Sequence, residues 1–221
     1  MPVFQLDENL WFPHPYLGEN DIIAVGGDLS PERLTLAYSH GIFPWYSFRK
    51  RSRPIWYCPL SRFVIFPDEI HVSHSMRSLL NKGRYEFSCN EAFERVIREC
   101  ATVDSRQEMK GAWLGEDIIK AYTEMYRRGL AMSVEVWEPD PDKDGERRLV
   151  GGLYGIQMKN AFFGESMFSH VPSGSKLALI HLAGVARENG WHFIDCQLET
   201  PHLLSMGGRH ISYDEYMKLL G

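Results

Sequence analysis

No apolar run in this sequence approaches the ~18 residues needed to span a bilayer. The N-terminus, MPVFQLDENLW, has neither the basic start nor the apolar stretch of a secretory signal. These absences set the expectation of a cytoplasmic protein with no membrane segment. Cysteine is scarce: Cys58, Cys89, Cys100 and Cys196 form no CxxC pair and no regular spacing, which argues against a disulfide framework or a zinc site. The nine histidines contain no HExxH. Equally missing are the GxxxxGK[ST] of a P-loop, the GxGxxG of a dinucleotide fold and the GxSxG of a nucleophile elbow. Chemistry in such a chain is expected to start from an already activated substrate rather than from ATP.

Positive charge is also in short supply. Lys and Arg number 24 against 29 Asp and Glu, a net charge of −5, so the chain as a whole does not read as a nucleic-acid binder. The run RKRSR is the local exception: Arg49, Lys50, Arg51 and Arg53 directly follow the aromatic cluster FPWYSF. Most short basic runs are solvated loops. On an acidic protein, one flanked by aromatics is compatible with docking one end of a nucleic acid.

What is present suits a soluble α+β protein. The 221 residues are 44% apolar and 13% aromatic, enough for a proper core. Ser30-Pro31-Glu32 reads as a helix start, with the helix stopping near Gly41. Residues 41–59, rich in proline and aromatics, show no periodicity, and the boundary of a small N-terminal domain (1–61) is placed after them. In the remainder (62–221), RFVIF reads as a strand and 73–81 as a short helix. Asn90 reads as the cap of a helix carrying Phe93, Val96, Ile97 and Cys100, and 116–128 as a stronger helix closed by Gly129. The strands AMSVEVW, LVGGLYGIQM and AFFGESMF follow, the last two joined by a turn at Lys159-Asn160. The helical PSGSKLALIHLAGVAREN then crosses over to the strand WHFIDCQL. A crossover of this kind makes FFGESMF and FIDCQL candidates for neighbouring parallel strands beside a cleft.

The acids in those strands are the anomaly. Strand alternation puts Asp195 and Gln197 on one face of FIDCQL, and puts Phe163, Glu165 and Met167 on one face of FFGESMF. An unpaired acid buried in an apolar strand is costly. Two carboxylates and an amide among apolar neighbours suit an apolar ligand whose amine must be held and deprotonated.

Taken in order, GGDLSPERLTLAYSHGIFPWYS, GAWL, GGLYG, FFGESMFS and FIDCQ resemble the leucyl/phenylalanyl-tRNA–protein transferase family over roughly residues 22–207. The resemblance implies transfer of Leu or Phe, and Met less well, from aminoacyl-tRNA to proteins with N-terminal Arg or Lys, marking them for degradation by the N-end rule. It implies an acetyltransferase-like (GNAT) C-terminal domain, with no metal and no organic cofactor. Asp195 and Gln197 match the pair proposed to activate the acceptor amine, with Glu165 the acid beside them. Phe162, Gly164, Met167, Leu179 and Ile194 match positions lining the amino-acid pocket. Tyr38, Trp45, Trp113 and Tyr122 match aromatics around the tRNA 3′ adenosine or the pocket mouth. A monomer is expected, with the basic run contacting the tRNA backbone. Thr200 stands where some members of the family carry asparagine. Two other readings stay open: an acetyl-CoA-dependent N-acetyltransferase, for which HVPSGSK is a poor pyrophosphate loop, and a non-catalytic reader of basic N-termini.

Overall fold

The computed structural model describes residues 3–45, 53–102 and 115–221. They form two sheets. The smaller holds β1 (Phe4–Leu6), β2 (Ile22–Gly26), β3 (Phe43–Trp45) and β4 (Ile55–Tyr57) in the order β1-β2-β4-β3. Between β2 and β3 runs α1 (Pro31–Ser39), whose Ser30 cap accepts the Arg33 N–H at 3.3 Å. β3 and β4 come from the stretch without periodicity. Strands of three residues are too short to display alternation.

The larger sheet contains β5 (Ser61–Ile65), β6 (Glu86–Cys89), β7 (Ala131–Pro139), β8 (Arg147–Met158), β9 (Ala161–Ser169), β10 (Phe193–Gln197) and β11 (Arg209–Ser212). Their spatial order is β11-β5-β10-β9-β8-β7-β6. Around it lie α2 (His74–Asn81), α3 (Phe93–Thr102), α4 (Glu116–Arg127), α5 (Gly174–Glu188), α6 (Pro201–Leu204) and α7 (Tyr213–Leu220). The chain is thus mixed α+β, with a small N-terminal unit.

Alternation divides the core. Phe163, Tyr154 and Phe193 pack with α1, α3, α4 and α7, while Phe162, Leu153 and Ile194 pack with α2 and α5. The start of α5 sits directly on β8: a Cβ on Gly151 would lie 2.8 Å from the Gly174 carbonyl carbon, so the helix can approach only a glycine. Asn90 is not the cap of α3. It holds φ +63° and its Oδ1 accepts the Ser133 N–H at 3.0 Å, so its side chain ties a loop to β7 instead.

Candidate functional site

β9 and β10 run parallel, joined by the α5 crossover. Their pairing spans only Phe193↔Ala161 to Asp195↔Phe163. Beyond Asp195 the two strands part. On its other edge β10 shifts register against β5 between Asp195 and Gln197, and Gln197 holds φ +64°. A cavity of about 560 Å³ opens where the strands separate, a volume within the usual range of small-molecule sites.

A second irregularity shapes one wall. Tyr154 pairs with Ser166 but Gly155 pairs with Gly164, so Glu165 is the extra residue of a β-bulge. Only glycine fits at 155, because a Cβ there would lie 2.0 Å from the Phe163 carbonyl oxygen. The bulge flips the alternation after Glu165. Met167 therefore shares the cavity wall with Phe162 and Gly164, instead of the face of Phe163 that strict alternation predicts. Leu179 of α5, Ile194 of β10 and Trp45 of β3 also line the cavity, with Leu153, Leu182 and Leu203 completing a mostly apolar surface.

Glu165 is the only carboxylate lining the cavity among the described residues. It is 7% exposed and heavily bonded. Tyr38 donates to Oε1 at 2.7 Å, Tyr122 to Oε2 at 3.0 Å, and Gln197 Nε2 to Oε1 at 2.9 Å. The two phenol oxygens also hydrogen-bond each other. The Gln197–Glu165 bond spans the gap where the strand ladder has ended. Burial pushes the Glu165 carboxyl up to about 7, against the opposing effect of the two tyrosine hydrogen bonds. Burial next to that carboxyl also raises both phenols well above their ordinary range. Neither tyrosine lines the cavity: both lie beneath Glu165, not around a ligand mouth.

Asp195 is placed differently from Gln197. It is fully buried and outside the cavity lining. Its carboxylate takes Arg62 Nε at 2.9 and 3.0 Å, Arg62 Nη2 at 2.9 Å, the Tyr216 hydroxyl at 2.8 Å and the Gln197 backbone N–H at 2.8 Å. The Arg62 guanidinium lies between the Phe43 and Tyr216 rings, 4.7 and 5.0 Å from their centroids, and Nη2 also donates to the Gly41 carbonyl. A carboxylate so occupied has no free face toward a ligand. What it does is hold the Gln197 backbone in a left-handed conformation from which the side-chain amide reaches Glu165.

The sequence reading overlooked Arg62 and Tyr216, although an arginine inside the apolar strand SRFVIF carries the same signal as Asp195 does in FIDCQ. Arg53 is exposed. Arg49, Lys50, Arg51 and Trp113 lie outside the described residues. No helix among the described residues is long and apolar enough to cross a membrane.

Comparison with known proteins bears on the family to which the chain belongs. A family model described as leucyl/phenylalanyl-tRNA protein transferase matches residues 64–221, and one for the N-terminal domain of the same protein matches 27–60. The leucyl/phenylalanyl-tRNA–protein transferase of Nitrosomonas eutropha is 46% identical over 202 residues, covering 91% of this chain and 82% of that protein. Its counterpart in Syntrophobacter fumaroxidans is 45% identical over 221 residues, covering 100% and 90%. Among solved structures, FemX is 10% identical with a TM-score of 0.49, covering 82% of this chain and 66% of that one. With both domain models matched in order and full-length relatives above 40% identity, the chain belongs to the leucyl/phenylalanyl-tRNA–protein transferase family.

Proposed function

We propose that this chain transfers Leu or Phe, and Met less well, from aminoacyl-tRNA to the α-amino group of proteins that begin with Arg or Lys. The product is a marked N-terminus for N-end-rule degradation, made in the cytoplasm by a monomer. The observation that carries this reading is a mostly apolar cavity with a lone carboxyl, Glu165, at the parting of two parallel strands. The parted parallel pair and the crossover helix also support a GNAT-like reading of residues 62–221, with 1–61 as the smaller domain. Arg49, Lys50, Arg51 and Arg53 would hold tRNA phosphates.

In the proposed reaction the acceptor nitrogen attacks the ester carbonyl carbon, the carbon–oxygen bond to the terminal ribose breaks, and one amine proton leaves. An ester is already activated, so positioning alone can supply roughly 7–11 kcal/mol. An α-amine with pKa about 7.7–8.0 is roughly one-tenth neutral at pH 7. Glu165, held near 7, is matched to take the proton, and Gln197 aims it. Asp195 was the base expected from sequence. In its buried position it acts instead through the Gln197 backbone, as a positioning residue held by Arg62.

The deciding experiment incubates the full chain with Leu-tRNA and a peptide beginning with Arg, read by mass spectrometry. Addition of one leucine to the peptide N-terminus supports the reading. No addition, with the chain folded and the tRNA intact, removes it.

A further inference from the structure

The three groups at the base of the cavity pose a counting problem. Tyr38 Oη, Tyr122 Oη and the Glu165 carboxyl are mutually within hydrogen-bonding distance, giving three oxygen–oxygen contacts in a closed ring. Each phenol supplies one O–H and no more. Gln197 Nε2–H adds a donor to Oε1 but belongs to none of the three contacts. With Glu165 ionised, two protons must serve three contacts, and one pair of oxygens faces each other through lone pairs alone. With Glu165 protonated, three protons serve three contacts. Tyr38 donates to Oε1, Tyr122 donates to Tyr38, and the carboxyl O–H on Oε2 donates to Tyr122.

We infer that Tyr38, Tyr122 and Glu165 share three protons in such a ring, and that the two tyrosines are positioning residues that make Glu165 an acceptor which gains a hydrogen bond on protonation. The inference rests on Glu165 being the proton acceptor of the proposed transfer. An ordinary carboxylate loses charge-assisted bonds when it takes a proton. Here that loss is offset by closing the ring, in a site dry enough for each bond to count. As the neutral acceptor amine attacks, one of its N–H bonds breaks, an O–H forms on Oε2, and the Tyr122 hydroxyl turns from Oε2 to Tyr38. The proton then passes to the ribose oxygen as it leaves. The other charges acting on Glu165 are Asp195 of β10, which favours the protonated form, and Arg62 of β5, which opposes it. They are buried and paired to each other, which leaves burial and the ring's own protons to set the balance.

The ring makes a prediction that simple donor counting does not. Replacing one tyrosine by phenylalanine removes a donor to the carboxylate, which raises the Glu165 midpoint. It also removes the contact that ionisation leaves without a proton, which lowers it. The two effects oppose. Replacing both tyrosines removes every phenolic donor with nothing left to compensate.

The test is infrared difference spectroscopy of the full chain against Glu165→Gln, with ¹³C-labelled glutamate carboxyls, titrated between about pH 5 and about pH 9. A protonated-carboxyl band is expected below pH 7. Each single Phe variant should leave its midpoint within about half a unit, and the double variant should raise it by about one unit or more. An ionised carboxyl throughout, or two additive upward shifts from the single variants, would overturn the ring. Should the double variant fold poorly by circular dichroism, the wild-type band and the single variants still decide. The spectra need no substrate, so the ring can stand or fall whether or not leucine is transferred.

Discussion

Arg62 and Asp195, 133 positions apart, meet as a fully buried pair through three nitrogen–oxygen contacts of 2.9–3.0 Å. The pair ties the strand leading out of the small sheet to the strand that carries the site. Through the Gln197 N–H it also sets the direction of the amide that bridges the parted strands.

Breaking that pair on one side leaves a buried charge without its counter-ion. Asp195→Asn is expected to cost about 3–5 kcal/mol of stability. The variant's residual single-turnover rate should keep the wild-type pH midpoint, because in the proposed reaction the proton goes to Glu165. Urea melts and single-turnover assays across pH check this. Loss of the pH-dependent limb with stability unchanged would make Asp195 the base after all.

Removing both charges separates energy from positioning. In Arg62→Met with Asp195→Leu, most of the lost stability should return, since buried ion pairs are often replaceable by packed apolar side chains. Activity should not return, because Gln197 at φ +64° has lost the acceptor for its backbone N–H. Full recovery of transfer in the double variant would show that this hold on Gln197 is dispensable.

Glu165 makes stability depend on pH with a definite sign. Its folded value of about 7 lies above the ordinary 4.5. Between these values the native chain holds an extra proton, so stability falls as pH rises through that window. The span corresponds to a loss on the order of 3 kcal/mol. Glu165→Gln cannot titrate there, so its thermal midpoint relative to wild type should improve from about pH 5 to about pH 8. A constant difference across that range would show the carboxyl ionised throughout. In activity, the same variant should lose the limb near pH 7 and keep only the rise from the acceptor amine.

Gly164 offers a test of the cavity without disturbing the fold. A Cβ there would meet the Asp195 carbonyl oxygen at 3.4 Å and the Phe162 ring at 4.0 Å, both ordinary contacts. Gly164→Ala should fold normally and narrow the cavity, slowing Phe transfer more than Leu. Met167→Ala widens the same wall and should weaken discrimination between Leu and the β-branched Ile and Val. One methylene is worth roughly 1–3 kcal/mol in such a slot. Competition assays with mixed charged tRNAs give the ratios, and ratios unchanged in both variants would place the amino acid elsewhere.

For the basic run, replacing Arg49, Lys50, Arg51 and Arg53 by Ser should weaken tRNA binding while sparing a minimal aminoacyl-adenosine donor. The slope of log affinity against log salt should flatten by roughly 0.7–0.9 per lost phosphate contact. Equal damage with both donors would assign the run to folding.

The periodic parts of the architecture could be read in the sequence. α4, α5 and the strands β7 to β10 announce themselves through changes of period, and the parallel neighbours β9 and β10 follow from the crossover between them. Glu165 and Gln197 stood out as polar residues in apolar strands, and they do meet. The bulge at Glu165 could not be read, because one extra residue changes a strand's facing without changing its composition. The burial of Asp195 could not be read either. Its partners sit at positions 62 and 216, and a one-residue neighbourhood carries no trace of them. Asn90 misled because an amide suits a helix cap and a loop tie equally well.

The reach of α1 into the site has a consequence for how the protein is made. Tyr38 and Glu165 are 127 residues apart, and Arg62 and Asp195 are 133 apart. Contacts this distant close late, after local helices and hairpins have formed, because the intervening chain must first give up its freedom. A refolding chain should therefore recover its helical signal before it recovers transfer. A nascent chain has no functioning site until the strand bearing Asp195 has been synthesised. Recovery of transfer should therefore report the last stage of folding in this protein.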